Sequence, residues 1–76
     1  MEYAVRIKDT NIANGKTVVE YAGQGMTRSF HREKVHPWKT ENGAHRFISV
    51  QKRLDELHPK RVGDGWRREY NVVLYW

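Results

Sequence analysis

One segment of the chain has the periodicity of an amphipathic helix, and this limits the folds open to a chain of 76 residues. Between residues 41 and 57, apolar side chains gather on one half of the helical wheel, as in a helix that covers a sheet. These apolar residues are Ala44, Phe47, Ile48, Val50, Leu54 and Leu57. Thr40 or Asn42 can cap the helix start, and Pro59 should end the helix at His58. We expect four of the apolar residues to be buried against the sheet: Phe47, Ile48, Val50 and Leu54.

Strand signals lie on both sides of this helix. Residues 3–8 alternate apolar and polar side chains, and residues 16–21 are rich in β-branched side chains. Asn14-Gly15 between them is a strong turn signal, so we expect an antiparallel hairpin. A short third strand is expected within residues 27–30. Residues 66–76 should form a long last strand, and its end is apolar on both faces, which is typical of a central strand.

The order of these elements predicts an α+β fold. We expect a small two-layer domain with the order β-β-(β)-α-β, in which one helix packs across a three- to four-stranded, mainly antiparallel sheet. Residues 1–76 are expected to form a single domain. A chain of this size buries only about 60% of its unfolded surface. It has no cysteine, so packing alone, or packing with self-association, has to stabilise it.

Membrane insertion and export are not expected. No segment approaches the roughly 18 consecutive apolar residues that a membrane-spanning helix needs. The first six residues contain no apolar stretch of the kind found in a signal peptide. These features predict a cytoplasmic protein with no membrane partner.

Basic residues exceed acidic ones, and the excess is unevenly placed. The chain has 14 Lys and Arg against nine Asp and Glu, a net charge of +5. Residues 1–26 carry three of each sign, so the whole excess lies in residues 27–76. A basic excess attracts polyanions at long range. A charge of this size also serves solubility alone, and both interpretations stay open.

Basic and aromatic residues occur together in the loop after the third strand and again at the start of the last strand. Nucleic-acid-binding proteins combine cations for phosphates with aromatic faces for bases, and each stacked base contributes about 1–3 kcal/mol. The residues expected to bind nucleic acid or an acidic protein surface are Arg28, Phe30, His31, Arg32, Lys34, Trp38, Lys39, Arg67 and Arg68. Large aromatic residues are also the main core material of so small a chain, and Val35 and Trp38 are expected to anchor the loop. Exposure of Trp38 and Phe30 would favour nucleic acid, whereas burial would favour a protein partner or solubility.

No pattern in the sequence specifies catalysis or a metal site. His31 and His36 are five residues apart in a loop, unlike the tightly spaced pairs of zinc sites. Ser29 and Ser49 lie in no glycine-flanked elbow. Gly23-Gln24-Gly25 lacks the lysine and the helix start of a phosphate-binding loop. We therefore expect a non-enzymatic binding module without a metal or another cofactor.

Two other functions remain open at this point. The first is an accessory or inhibitor protein, of the type that phages and mobile elements encode, which acts by protein–protein contact. Open sheet edges suit that role because they accept a partner's strand, and they also allow a homodimer. The second is a small metal-independent ribonuclease. In that enzyme His31 or His36 would act as the base, and the neighbouring cations Arg28, Arg32 and Lys34 would hold the phosphate.

Overall fold

The computed structural model of the protein describes residues 1–25 and 27–75. One helix packs against a four-stranded antiparallel sheet, which confirms the expected α+β fold. The elements are β1 (Tyr3–Asn11), β2 (Thr17–Ala22), β3 (Arg28–Ser29), α1 (Glu41–Leu57) and β4 (Trp66–Leu74), with 3-10 turns at Arg32–Lys34 and Pro59–Arg61. The strand order is β3-β2-β1-β4. The expected continuation of the last strand to Trp76 lies outside the described residues.

The hairpin of β1 and β2 forms as expected, but β1 is longer than its alternating pattern indicated. The Oδ1 atom of Asn11 accepts hydrogen bonds from the backbone N–H groups of Ala13 and Asn14, at 3.0 and 3.2 Å. Gly15 follows with a φ of 74°, a conformation that glycine adopts without strain. On its other side β1 pairs with β4 along its full nine residues. This pairing extends β1 to Asn11, beyond the residues whose side chains alternate.

The last strand, β4, lies at the edge of the sheet, so its predicted central position is wrong. The central position next to β2 is taken by β1. The apolar end of β4 has another cause, because both faces of the sheet are partly covered around Val72 and Val73, whereas Leu74 is 58% exposed. Helix α1 covers one face. On the other face the hydroxyl group of Tyr75 donates a hydrogen bond to the carbonyl of Arg32 at 3.1 Å, and Ala4 there is fully buried.

Helix α1 has the predicted bounds and the predicted cap, but its buried stripe is rotated from the predicted one. The Oγ1 atom of Thr40 accepts a hydrogen bond from the N–H of Gly43 at 3.1 Å. Its buried residues are Ala44, Ile48 and Gln51, whereas Phe47 and Leu54 are half-buried. The prediction that Val50 is buried is wrong, since it is 55% exposed. The buried stripe includes the polar residue Gln51. The middle of the face that contacts the sheet is therefore not the middle of the apolar residues.

The core lies between α1 and the middle of the sheet. Its fully buried members are Val5, Ile7, Ala22, Ala44 and Ile48, and Tyr3, Trp38, Phe47, Tyr70 and Val72 pack around them. The loop that leads to α1 is held at this end. Its Val35 is buried and its Trp38 half-buried, as expected. Trp38 and Tyr3 exchange two backbone hydrogen bonds of 2.8 Å.

The rotated stripe gives a direct test of the helix orientation. We expect Ile48→Ala to lower the free energy of unfolding by about 2–5 kcal/mol, the usual cost of deleting buried methyl groups. Val50→Ala, on the same helix, should change it by less than about 0.5 kcal/mol because the side chain is exposed. Urea unfolding followed by circular dichroism measures both. Equal losses for the two variants would contradict the orientation.

Candidate functional site

A cluster of charged residues joins both edges of the sheet to α1 on the helix-covered side. Asp9 on β1 lies directly opposite Arg68 on β4. The Nε and Nη2 atoms of Arg68 donate to the two carboxylate oxygens of Asp9 at 2.7 and 3.1 Å. Arg28 on β3 approaches the same carboxylate at 3.3 Å and Glu20 at 3.8 Å. The side chain of Arg68 is only 5% exposed, so this fork-shaped pair is shielded from water.

Asp55 connects α1 to the same cluster. Its Oδ1 atom lies 3.3 Å from a guanidinium nitrogen of Arg61 and 3.7 Å from one of Arg68. Its Oδ2 atom accepts a hydrogen bond from the hydroxyl group of Tyr70. No hydrogen bond reaches Oδ1 among the described residues, so the two arginines stabilise it by charge alone. Arg61 also donates to the side-chain oxygen of Gln51 at 2.7 Å.

Two pKa values reflect this environment. The hydrogen bond to Asp9 raises the pKa of Arg68 above its ordinary value, although burial acts in the opposite direction. Burial, followed by the hydrogen bond to Asp55, raises the pKa of Tyr70 to about 12. Arg68 is therefore permanently charged, and Tyr70 stays a neutral hydrogen-bond donor at physiological pH.

The cluster as a whole is electrically neutral. It contains three arginines and three carboxylates: Arg28, Arg61, Arg68, Asp9, Glu20 and Asp55. Removing three of each from the 14 basic and nine acidic residues of the chain leaves eleven and six. The full net charge of +5 is therefore carried by residues outside the cluster. A partner that responds to this charge has to contact another surface.

Helix α1 covers only one side of the sheet, and over most of the opposite side the described residues 1–25 and 27–75 form no helix. Residues that face each other in an antiparallel pair lie on the same side of a sheet, and the pairing therefore assigns this side, which we call the open face. Across the sheet it has one row of Tyr21, Arg6 and Asn71, a second of Val19, Lys8 and Glu69, and a third of Thr17, Thr10 and Arg67. Among the described residues these rows contain three cations and a single carboxylate, that of Glu69. Arg67 lies 3.7 Å from it in a solvent-exposed pair.

A fourth cation lies at the end of the open face. The Arg32–Lys34 turn packs there through the hydrogen bond from Tyr75 described above. The guanidinium group of Arg32 lies 5.6 Å from the centre of the Tyr75 ring, within the range of a cation–π contact. The open face thus combines Arg32 and Tyr75 at its end with Arg6 and Tyr21 in its first row.

The nine residues expected to bind a partner are not gathered on one surface. Arg32 and Arg67 border or occupy the open face. Arg28 and Arg68 belong to the neutral cluster on the opposite side, so the adjacent residues Arg67 and Arg68 are separated by the sheet. His31, Lys34, Lys39 and Phe30 are exposed on the connecting loop.

The exposure of the aromatic residues does not separate the two kinds of partner. Phe30 is 65% exposed. Trp38 is half-buried, with its ring 4.9 Å from that of Phe47 and 4.3 Å from that of His36. One of the two rings is therefore available for stacking, and the other belongs to the packing around the core.

Sequence reasoning missed Arg6, Lys8 and Tyr21. Counting charges by segment hid them, because the first 26 residues are neutral in sum. In the fold, Asp9 and Glu20 face α1 whereas Arg6 and Lys8 face the other way. The signal was present in the alternation of the first strand, whose polar residues 6 and 8 share a face.

Comparison with known proteins adds no assignment. No family model, no curated protein and no solved structure matches the chain. Within the described residues, no three His, Cys, Asp or Glu side chains are grouped in a way that could hold a metal ion. No helix in the same part of the chain is long and apolar enough to cross a membrane.

Two adjacent arginines provide a matched test of the neutral cluster. Arg68→Met should lower the free energy of unfolding by about 3–5 kcal/mol, because it leaves the carboxylates of Asp9 and Asp55 short of a charge partner in a poorly solvated site. Arg67→Met removes the same charge from an exposed position and should cost no more than about 1 kcal/mol. Chemical denaturation of both variants gives the comparison. A small loss for Arg68→Met would show that the cluster contributes little.

The raised pKa of Tyr70 predicts a pH dependence of stability. Below pH 10 the phenol is protonated in the folded and the unfolded chain, and its stabilisation is fully present. Between pH 10 and about 12 the unfolded chain loses this proton first, so the stabilisation disappears. The melting temperature of the wild type should fall more across this interval than that of Tyr70→Phe, which has no phenolic proton there. Parallel curves for the two proteins would contradict this assignment.

Proposed function

We propose that the protein is a non-enzymatic module that binds single-stranded nucleic acid through the open face of its sheet. The observation that carries this proposal is the separation of charge. The six charged residues of the cluster on the helix-covered side neutralise one another, and the three rows of the open face carry three cations against one carboxylate. The cytoplasmic location expected from the sequence remains part of the proposal.

The arrangement of the open face supports a flexible, unpaired strand as the ligand. Arg6 lies directly beside Tyr21, and Lys8 is in the next row. Cations spaced along the surface of a sheet suit a phosphate backbone, and an aromatic ring beside them suits an unstacked base. Bases in a duplex are already stacked and offer no free face. The proposal therefore assigns phosphate contacts to Arg6, Lys8 and Arg32.

Matched variants test this surface. The double variant Arg6→Gln, Lys8→Gln removes two charges from the open face, and Arg46→Gln, Arg53→Gln removes two from exposed positions on α1. We expect the open-face variant to bind a labelled single-stranded oligonucleotide of mixed sequence more weakly than the wild type does. The slope of log affinity against log salt should also shrink by about 1.4, because each phosphate contact to a single strand contributes about 0.7. Fluorescence anisotropy at two salt concentrations measures both quantities.

The control and a duplex of the same sequence complete the experiment. The α1 variant should retain the wild-type salt slope, and the duplex should bind more weakly than the single strand. Equal losses for the two double variants would show that only net charge matters. An absence of binding at low salt would reject nucleic acid as the ligand and would favour an acidic protein surface. Cleavage of a labelled RNA strand during the titration would contradict the non-enzymatic assignment.

A further inference from the structure

The outer edge of β4 presents backbone groups that no other strand of the described residues covers. Two hydrogen bonds at the ends of the β1–β4 ladder fix its phase: Tyr75 N–H to the carbonyl of Glu2 at 2.9 Å, and Ile12 N–H to that of Gly65 at 2.8 Å. Hydrogen-bonded pairs alternate along an antiparallel ladder, so the odd-numbered residues of β4 bond to β1. The N–H and C=O groups of the even-numbered residues Arg68, Tyr70, Val72 and Leu74 therefore point away from the sheet.

This edge has few of the features that protect edge strands from pairing. It is nine residues long, contains no lysine or proline, and keeps one register with β1 throughout. An inward-pointing charge is a common protection, but the charge of Arg68 is neutralised by Asp9 and Asp55. The opposite edge of the sheet is partly covered, because β3 pairs with the end of β2.

The two ends of β4 differ in a way that makes the edge complementary to itself. At the start of β4 an open groove of about 500 Å³ lies between the strand and the end of α1; Pro59, Val62 and Trp66 give it an apolar part, and the rest of its lining is largely charged. At the other end Leu74 is 58% exposed. A partly apolar groove and an exposed apolar side chain thus occupy opposite ends of one strand.

We propose that two copies of the chain associate through antiparallel pairing of their β4 strands, with the two-fold axis at Tyr70. In this register Leu74 of each copy lies opposite Trp66 of the other, at the mouth of its groove. All nine residues of β4 find a partner. Glu69 faces Asn71 and Arg67 faces Val73, so no like charges are opposed.

Neighbouring registers fit less well. Moving the axis to Glu69 places the two Glu69 side chains directly opposite each other, and like charges at such positions destabilise a sheet. Moving it to Asn71 separates Trp66 from Leu74, which then lies opposite Arg68. The register centred on Tyr70 satisfies the edge, the groove and the charges together.

The dimer has an eight-stranded sheet with both helices on one side and both open faces on the other. The pairing rests on the edge and on the groove, and it does not depend on the proposed binding of nucleic acid. If both proposals hold, the two open faces form one continuous basic surface.

Sedimentation equilibrium tests the dimer, with two exposed apolar residues as a matched pair. We expect the wild type to reach twice its mass of 9.1 kDa as concentration rises. Leu74→Lys should raise the dimer dissociation constant by about tenfold or more, since it replaces the apolar side chain that lies opposite Trp66 of the other copy. Ile12→Lys, at a residue that is 68% exposed and follows β1, which is not the free edge, should leave the constant unchanged.

A backbone variant separates strand pairing from side-chain contact. Val72→Pro removes an N–H that points away from β1, so the native ladder stays intact while the edge loses a donor. We expect a folded monomer, with folding checked by circular dichroism. A monomeric wild type at its highest soluble concentration would overturn the proposal. The proposal would also be overturned if Leu74→Lys and folded Val72→Pro both associated as strongly as the wild type. Leu74 lies on the helix-covered side. Binding of single-stranded nucleic acid by Leu74→Lys therefore tests the open face separately from dimerisation.

Discussion

The pair of Asp9 and Arg68 determines more of this structure than any other contact outside the apolar core. It joins β1 to β4 at directly opposed positions and draws α1 in through Asp55. A buried ion pair gains little net free energy, because desolvation offsets the attraction. Arrangements that separate its two charges are nevertheless strongly destabilised, since each buried charge is then left without compensation. A shift of β4 by one residue would turn Arg68, Tyr70 and Val72 to the open face and would place Arg67 or Glu69 opposite Asp9. The pair and the partly buried side chains of Tyr70 and Val72 therefore favour one register together, and that register positions Trp66 at the groove and Arg67 on the open face.

Neutralisation within this cluster also determines where charge is available to a partner. Three arginines are used to hold strands and helix together, and each is compensated by a carboxylate within ion-pair distance. A basic composition by itself is weak support for a polyanionic ligand, since charge often serves solubility. When the three arginines of the neutral cluster are subtracted, the remaining cations include a group beside tyrosines on one face of the sheet. The functional proposal depends on this distribution and not on the isoelectric point.

The sequence predicted the elements well and their relative placement less well. The bounds of α1, its Thr40 cap and the first hairpin follow from local rules, because caps, proline and Asn-Gly turns act within a few residues. The edge position of β4 and the exposure of Val50 depend on contacts between distant segments, which no local pattern encodes. The candidate site shows the same division. Arg67 and Arg68 look equivalent in sequence, yet strand alternation places one in solvent and the other in an ion pair. Arg6 and Lys8 could have been recognised from the alternation of residues 3–8 if charge had been assigned by face instead of by segment.

The alternation along β4 keeps the two proposed interfaces independent. Even-numbered residues direct their side chains toward α1 and their backbone groups toward the free edge. Odd-numbered residues direct their side chains to the open face and their backbone groups to β1. Both alternations have a period of two, and in this strand they run in phase. A ligand on the open face therefore contacts odd-numbered side chains, whose backbone groups already bond to β1. A second β4 strand instead pairs with the backbone of even-numbered residues, whose side chains lie on the helix-covered side. One nine-residue strand can thus serve binding on its face and association at its edge without either competing for the same atoms.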